Sequence, residues 1–587
     1  MGEYMIMKKE QIFLIILLLC TFLIRIYNAN ELSGGDDSEY AQLSVFAIES
    51  KEKIIYPSFP DEPMSYGGYY YARPFAVIPI IAPILILGYN KYAILMPTLI
   101  FSVLSVLLLY LIVKRQFNTK IAFIASILFA FSPFHIAFTR NGFLHGALVF
   151  YCLLATYLVV RAIDEKRNLF IYLAAFACLI NAWTTDFRGL VPLIALAPYV
   201  YLRDVDKKQL KHFFYAGIIV LGLFFVYMLI PLIFFNSPRF LQSFINMFVY
   251  AVSGTTESVL GGSMTLYESI IFMIKYLVMT PFVGLIFIPM TFGVVYLVND
   301  IKKPECSMWL FWLLSILVFY MQGKPYVERQ LVIVPAFAVL ASVGLVYSLK
   351  NRFVFPLLFA STSSWIVFMV SKFPSTYPEV YQSLSQYSFL FYLLSKYYII
   401  IIGVIFLFSV FLVFRRKKQT ALLLAYLILN ACVASALVVG GFGIYSRTDE
   451  VKVVADYLNE NIGDEKYACV AGVHDKSFIF YTQRLCASWR FINVSWIEEQ
   501  VENNNLKYFV LNLYLYDGYT PGFGRIDQSG VVDNTSCIKL GQWHCNEPEK
   551  YNWLMKNTLD ITYKTGLKPD NPYFRLYEYK GDFYEKN

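Results

Sequence analysis

Residues 92–113 read YAILMPTLIFSVLSVLLLYLIV, and this stretch contains no charged side chain. About 18 or more predominantly apolar residues in a row predict a helix long enough to cross the roughly 30 Å hydrocarbon core of a bilayer. Similar apolar runs recur along the chain, at 11–27, 121–139, 143–160, 213–235, 279–298, 331–348 and 389–413. The pattern predicts a polytopic α-helical membrane protein of about thirteen spans.

The composition supports this fold class. Of the 587 residues, 58% are hydrophobic and 15% are charged, whereas soluble domains contain about 45–50% apolar and about 25% charged residues. The net charge of +8 is spread over short loops between the apolar runs. A nucleic-acid partner would instead require a basic patch on a soluble face. Membrane lipid, and no nucleic acid, is therefore expected around this chain.

The basic residues predict the orientation in the membrane. They lie mainly in every second loop, and the positive-inside rule makes those loops cytoplasmic. These residues are Lys8/Lys9, Lys114/Arg115/Lys120, Arg161/Lys166/Arg167, Arg203/Lys207/Lys208/Lys211, Lys302/Lys303, Lys350/Arg352 and Arg415/Arg416/Lys417/Lys418. The N-terminus is therefore predicted to be cytoplasmic, and counting alternate spans places the tail after residue 440 outside. The chain is expected to be a multi-pass integral protein of the cell membrane.

Two domains are predicted from a change in composition along the chain. Residues 1–440 form the membrane domain, in which 28–73 is the first long outer loop. Residues 449–587 form an extracytoplasmic α/β domain, because charged residues return there and apolar runs shorten to strand length. The tail is predicted to hold helices at Val451–Asn461, Asp475–Leu485 and Ile497–Asn504, and strands at Tyr467–Gly472, Tyr508–Leu513 and Phe574–Tyr579. Its four cysteines allow two disulfides, and Cys469–Cys486 with Cys537–Cys545 is one pairing that the sequence does not fix.

Several cations break the charge pattern, because they lie close to the outer ends of spans. They are Arg73, Arg140, Arg188, Arg239, Lys324 and Arg329. A charged group at membrane depth is costly, which makes these residues functional candidates. The alternative is that each long side chain extends to the lipid headgroups. Together they suggest a site for an anionic headgroup, since the planar guanidinium donates two hydrogen bonds at once to phosphate.

An acidic pair, Asp36-Asp37, lies in the outer loop within GGDDSEYAQLS. Either carboxylate could act as a general base. Aspartate is also a favoured helix N-cap, so the pair could instead begin a helix near Tyr40. The two roles are compatible because a base requires only one carboxylate.

At these motifs the N-terminal half resembles the GT-C superfamily of glycosyltransferases. It is most similar to the branch of protein O-mannosyltransferases and lipid A aminoarabinose transferases. The matching segments, over about residues 10–350, are Arg25 in the first span, GGDDSEYAQLS, YYYARPFAVIPI with Arg73, SPFHIAFTRNGFLH with Arg140, TTDFRGL and GKPYVERQLVIVPAFAVLASVGL with Arg329. The sequence departs from the family pattern at two positions: His145 replaces a usual Asp, and Asp186 replaces a usual Lys.

The resemblance implies a donor in which a sugar is carried on a polyprenyl (dolichyl or undecaprenyl) phosphate. Asp36 would be the general base on an acceptor hydroxyl of a protein or a lipid glycan, and a single displacement would invert the anomeric carbon. Arg73, Arg140 and Arg329, with Lys324 nearby, would stabilise the leaving phosphate. Asp37 would orient the acceptor or hold a metal, so a divalent cation is possible but not required. Further substrate contacts are predicted at Glu39, Tyr40, Tyr71, His145 and Arg188, although a structural, hydrogen-bonded role is the more common one for a lone His such as His135 or His145.

Three other functions remain open at this point. A transporter or flippase of lipid-linked glycans would carry ionisable residues in mid-membrane and paired broken helices, whereas the charges here lie at span ends. An oligosaccharyltransferase of the same superfamily would carry Trp-Trp-Asp in its soluble tail, and no two of the eight Trp residues are adjacent. A non-catalytic sugar-binding membrane protein is the fourth possibility.

Overall fold

The computed structural model of the chain confirms a mainly helical protein. It describes residues 2–27, 40–41, 44, 48, 74–140, 142, 145–184, 187–204, 207–235, 255–257, 263–265, 286–320, 331–351, 353–376, 396–397, 399–405, 423–424, 426–428, 430–431, 449–461, 466–469, 481, 486–488, 494–503, 506–512, 553–554, 556–566 and 574–580. The chain divides into two compact units. One comprises Met1–Ala29, Ala72–Ala76 and Pro97–Ile444, and the other comprises Asn30–Tyr71, Val77–Met96 and Tyr445–Asn587.

The helices before the tail follow the apolar runs of the sequence. They are α1 (Gly2–Ile26), α2 (Pro74–Leu87), α3 (Lys91–Gln116), α4 (Thr119–Ala130), α5 (Pro133–Thr139), α6 (His145–Glu165), α7 (Leu169–Thr184), α8 (Val191–Arg203), α9 (Lys208–Phe235), α10 (Phe287–Asn299), α11 (Pro304–Tyr320), α12 (Val334–Ser348) and α13 (Val354–Thr376). A 3₁₀ turn, Phe187–Leu190, joins α7 to α8, and a short hairpin pairs β1 (Thr255–Glu257) with β2 (Ser263–Thr265).

Four helices in the described part of the chain are long and apolar enough to cross a membrane, or five if the bent pair α4–α5 counts as one span. In one of them, Lys208–Val226 of α9, only 28% of the apolar window is buried, and Phe214, Ile218 and Val226 are exposed. A long apolar face of this kind requires lipid around it. The protein is therefore an integral membrane protein, and the count of thirteen spans stays a prediction.

The apolar run 121–139 does not form one straight helix as its length suggested. It forms α4 and α5, whose axes differ by 54°. Ser132 between them adopts an extended backbone, with φ −62° and ψ 124°. The physical cause is Pro133, which lacks an N–H and disfavours helical geometry in the residue before it. The break leaves carbonyl groups at the end of α4 without their usual helical partners.

Basic helix ends lie together on one face of the first compact unit, Met1–Ala29, Ala72–Ala76 and Pro97–Ile444, which we call the membrane unit. Arg115 at the end of α3 and Arg203 at the end of α8 both contact Asp164 of α6, at 3.4 and 3.6 Å. Arg161 donates to Glu165 at 2.6 Å. We call this the basic face; it consists of Lys114, Arg115, Arg161 and Arg203 with the acids Glu10, Asp164 and Glu165. Glu10 of α1 joins it by accepting hydrogen bonds from Tyr110 and Lys114.

The centre of this unit is α12, and 89% of Leu331–Ser348 is buried. It packs against α4 and most extensively against α10. Gly293 of α10 and Gly344 of α12 allow this approach. A Cβ atom on Gly293 would lie 1.8 Å from the carbonyl oxygen of Leu340, and one on Gly344 would lie 2.1 Å from that of Pro289. Only glycine fits at these two contacts.

The tail forms a mixed sheet with strand order β4-β3-β5-β7-β6. Its elements are α14 (Asp449–Asn461), β3 (Lys466–Cys469), β4 (Cys486–Ser488), α15 (Val494–Glu502), β5 (Leu506–Asn512), β6 (Thr558–Asp560), the 3₁₀ turn Thr562–Thr565 and β7 (Phe574–Tyr579). Strands β3, β4 and β5 are parallel, and β7 runs antiparallel to β5 and β6. The described residues of the tail thus combine helices with a sheet, and their assignment to an extracytoplasmic domain stays a prediction. Burial raises the pKa of Tyr508, whose hydroxyl donates to Glu578 at 3.4 Å.

Two of the four tail cysteines lie in neighbouring strands. Cys469 lies opposite Ser488 in the parallel register, and Cys486 lies opposite Tyr467. The side chains of both cysteines lie outside the described set, so the Cys469–Cys486 pairing stays a prediction. Cys537 and Cys545 lie outside the described residues.

Candidate functional site

Arg25, near the end of α1, is the largest charged side chain that is fully buried in the described part of the chain. Its guanidinium makes four hydrogen bonds. Nε donates to Thr139 Oγ1 at 2.7 Å, Nη1 to the Thr21 carbonyl at 2.9 Å, and Nη2 to the Ala130 carbonyl at 2.9 Å and to His135 Nδ1 at 2.8 Å. One side chain therefore joins α1 to both helices of the bent pair, and it uses a carbonyl at the end of α4 that the break exposes.

His135 Nδ1 lies 2.8 Å from Arg25 Nη2 and 3.2 Å from the carbonyl oxygen of Phe129. The guanidinium can only donate and its contact is the shorter one, so we assign Nδ1 as the acceptor and place the proton of the neutral imidazole on Nε2. The ring stacks on Phe129 with centroids 4.0 Å apart. Its Nε2 has no hydrogen-bond partner among the described residues. The structural role expected for His135 is consistent with this packing.

Arg140 closes the cluster from the other side. It follows α5 directly and is buried, and its Nη2 donates to the carbonyl of Tyr27, one residue beyond α1, at 2.8 Å. Arg25 thus reaches from α1 to α5, and Arg140 reaches from the end of α5 back to the end of α1. We call Arg25, His135, Thr139 and Arg140 the arginine cluster.

The charge of Arg25 has no compensating carboxylate in the described part of the chain. All four of its acceptors are neutral, and the one charged group that acts on it there is the like charge of Arg140. Two cations close together away from water are costly unless an anion joins them. The positive charge of Arg25 is therefore held by neutral groups alone among the described residues.

The arginine cluster and the basic face contact α1 near its opposite ends. Glu10 lies on that face, and Arg25 follows it by fifteen positions along the helix, or about 22 Å at 1.5 Å per residue. This distance is most of the thickness of a hydrocarbon core. The arginine cluster and the basic face therefore lie towards opposite surfaces of the membrane unit.

The structure describes only part of the site that the sequence predicts. Arg140 belongs to the arginine cluster. Tyr40 is helical and buried, and its carbonyl accepts a hydrogen bond from Ser44 at 2.7 Å. His145 begins α6 and Arg188 lies in the 3₁₀ turn after α7, but their side chains lie outside the described set. The remaining candidates lie outside the described residues: Asp36, Asp37, Glu39, Tyr71, Arg73, Arg239, Lys324 and Arg329.

Metal binding has no support among the described residues, since they contain no group of three or more His, Cys, Asp or Glu placed to hold an ion. The proposed metal ligand, Asp37, is not among them. The reaction proposed for this chain uses no metal.

Two members of the arginine cluster, Arg25 and Thr139, were not among the site residues predicted from the sequence. Thr139 gives no sequence signal, because a threonine in an apolar run is ordinary. Arg25 does give a signal, since it is a lone charge in the apolar run of α1 and belongs to the family resemblance. Three of its four partners are more than a hundred positions away, and only the fold brings them together.

Comparisons with known proteins support the resemblance to GT-C glycosyltransferases that was drawn from the sequence. Residues 73–231 match the family model described as dolichyl-phosphate-mannose-protein mannosyltransferase. Two relatives come from Bacillus subtilis strain 168, and both are named as candidate mannosyltransferases. YkcB is 40% identical over 92 residues, which cover 16% of this chain and 13% of YkcB. YycA is 28% identical over 142 residues, which cover 24% of this chain and 21% of YycA.

Solved structures match over a much larger part of the chain. The apo structure of ArnT from Cupriavidus metallidurans is 12% identical, with a TM-score of 0.58 over 86% of this chain and 93% of ArnT. ArnT bound to undecaprenyl phosphate is 13% identical, with a TM-score of 0.51 over the same shares. The apo oligosaccharyltransferase of Archaeoglobus fulgidus is also 13% identical, with a TM-score of 0.53 over 86% of this chain and 70% of that enzyme. At these identities the likeness establishes the fold.

Proposed function

We propose that this protein is a membrane glycosyltransferase that takes a sugar from a polyprenyl phosphate and transfers it to an acceptor hydroxyl on the outer face. The matched family is described as using dolichyl-phosphate mannose, and ArnT, which shares the fold, has been crystallised with undecaprenyl phosphate. The matched family and ArnT are thus both associated with a lipid phosphate, an anionic group that arginines facing outward suit. Neither donor sugar nor acceptor is fixed by these likenesses.

The observation that carries the proposal is the arginine cluster. Arg140 contacts Tyr27, the residue from which the chain leaves α1 towards 28–73, the segment with Asp36 and Asp37. Cationic groups placed away from the basic face, next to the start of an acidic outer loop, suit a lipid phosphate at the outer surface. Snorkelling does not account for Arg25 and Arg140, because both are buried.

The proposed reaction is a single displacement. Asp36 accepts the proton of the acceptor hydroxyl, and that oxygen bonds to the anomeric carbon as the bond to the lipid phosphate oxygen breaks. The anomeric configuration inverts, and the electron pair leaves with the phosphate as an anion. Arg73, Arg140 and Arg329, with Lys324, stabilise that developing charge. Asp37 orients the acceptor, and Glu39, Tyr40, Tyr71, His145 and Arg188 contact the substrates.

The proposed function includes an orientation in the membrane and a role for each domain. In this orientation the basic face and the N-terminus are cytoplasmic, and about thirteen spans place residues 449–587 outside. Residues 1–440 are the catalytic membrane domain, and 28–73 is its catalytic loop. The transporter alternative calls for paired broken helices, and the described residues contain one bent pair, α4–α5, without a second. None of the relatives named above is a transporter.

A comparison of cell lines tests this function. Lipids and glycans are analysed by mass spectrometry in cells that lack the protein and in cells that carry the wild type, Asp36→Asn or Asp300→Asn. Asp300 is a suitable control because its carboxylate is exposed and contacts Lys303 at 2.7 Å in the loop after α10. The Asp36→Asn cells should lack the same glycan as the null cells, and the Asp300→Asn cells should match the wild type. Normal glycans in the Asp36→Asn cells would remove Asp36 as the base.

A further inference from the structure

Arg25 cannot itself bind the donor. It is fully buried, and four of its five N–H groups already donate to protein acceptors. Any contribution to the site must therefore act through a neighbour or through the charge of its guanidinium. The geometry supplies both routes, because Arg25 bonds to Thr139, which immediately precedes Arg140.

The first route is positional. The bent pair α4–α5 has no continuous helical hydrogen bonding across its break. Arg25 bridges this break by bonding to Ala130 on one side and to His135 and Thr139 on the other. Arg140 then returns a bond from the end of α5 to Tyr27. The reciprocal bonds fix where Arg140 lies relative to α1.

The second route is electrostatic. Among the described residues Arg25 has only neutral acceptors and a like-charged neighbour. In a medium of low dielectric constant the charge of Arg25 adds to that of Arg140 at the surface where an anion would arrive. A neutral ligand at the same place would gain nothing from it.

We propose that Arg25 is a positioning residue that fixes Arg140 across the α4–α5 break and makes the site selective for an anionic lipid headgroup. This inference rests on the proposed function and deepens it. It separates Arg25 from the arginines expected to touch phosphate. It also predicts a selectivity that a purely structural residue would not give.

The test compares two probes that share one lipid tail. Binding of undecaprenyl phosphate and of undecaprenol, which lacks the phosphate, is measured on the purified full-length protein in detergent micelles. The wild type should prefer the phosphate. In Arg25→Gln, affinity for the phosphate should fall about tenfold or more, since a unit charge is lost from a low-dielectric site, whereas affinity for undecaprenol should not change. Arg203→Gln, an arginine of the basic face, should behave as wild type.

Two further variants keep the inference testable if Arg25→Gln does not fold. Arg25→Lys keeps the charge and should retain most of the phosphate preference. Thr139→Val removes one acceptor of Arg25 and should weaken phosphate binding by about three- to tenfold, with undecaprenol binding unchanged.

The outcomes separate the two proposals. A wild type that does not prefer the phosphate would contradict the proposed function itself. A wild type that does prefer it, with Arg25→Gln unchanged or with both probes weakened equally, would overturn the role of Arg25. If Arg25→Gln does not fold, wild-type behaviour of Thr139→Val would overturn it.

Discussion

At the scale of single residues, the main finding is a buried charge that the fold keeps away from water. Arg25 and Arg140 lie at one junction of α1 with α5, and Arg25 is surrounded by neutral acceptors within the described residues. Buried charges of this kind are retained where they perform a task, because a hydrophobic replacement would often be more stable. The sequence predicted Arg140 as a site residue from its place at a span end. It could not show that Arg25 and Arg140 lie at the same junction, because that arrangement depends on the packing of distant helices.

Arg140→Ala is expected to raise the KM for a polyprenyl-phosphate sugar by about tenfold or more, since one charge-assisted hydrogen bond or ion pair is lost. Steady-state kinetics with purified protein measure this. Thr291→Ala serves as a control, because Thr291 is exposed and bonds only to its own helix at Ile288. An Arg140→Ala enzyme with wild-type KM would exclude Arg140 from donor binding.

At the scale of elements, the bent pair α4–α5 is what gives Arg25 its partners. The length of the apolar run predicted one span over 121–139. Pro133 lies within that run, and it is the residue that breaks the helix. A proline can end, kink or merely begin a helix, so the 54° angle could not be derived from the sequence. The tail was easier to predict, since Phe574–Tyr579 matches its predicted strand and the helix at Asp449–Asn461 differs by two residues at its start.

Pro133→Ala is expected to lower affinity for undecaprenyl phosphate without lowering thermal stability. An N–H at residue 133 lets the helix continue, and the Ala130 carbonyl then returns to a helical bond instead of accepting from Arg25. Pro198→Ala is the matched control, because Pro198 lies inside α8, five positions before Arg203 of the basic face. Unchanged binding in Pro133→Ala would show that the break does not support the site.

The contact of α10 with α12 gives a prediction about stability. Gly293→Ala should lower the free energy of unfolding by about 1–3 kcal/mol or more, since its methyl group collides with the Leu340 backbone. Gly217→Ala in α9 is the control, because a Cβ there meets nothing within 4 Å, and alanine should gain up to about 1 kcal/mol of helix propensity. Thermal unfolding in detergent compares the two, and equal melting temperatures would contradict the packing described.

At the scale of the whole molecule, the fold separates a basic face from the arginine cluster along the length of α1. The positive-inside rule grouped the same loops from sequence, and the ion pairs among Arg115, Asp164 and Arg203 confirm that these helix ends share a surface. The sequence could place charges in order along the chain but not next to one another. Which surface faces the cytoplasm remains a prediction.

Cysteine labelling tests that orientation. In a variant without native cysteines, Asp456→Cys in the exposed part of α14 should react with a membrane-impermeant maleimide on intact cells. Asp300→Cys, in the loop after α10, should react only after lysis. The opposite pattern would reverse the topology and place the arginine cluster on the cytoplasmic side.

The central claim is that this GT-C fold transfers a sugar from a lipid phosphate. The most direct measurement is the release of free polyprenyl phosphate from a polyprenyl-phosphate sugar, incubated with purified protein and extracted cell-envelope acceptors. We expect release with the wild type and with Asp300→Asn, and a loss of at least a hundredfold with Asp36→Asn, since general-base catalysis contributes about 10²–10⁴ in rate. Equal release by wild type and Asp36→Asn, or none by wild type on any polyprenyl-phosphate sugar tested, would contradict it.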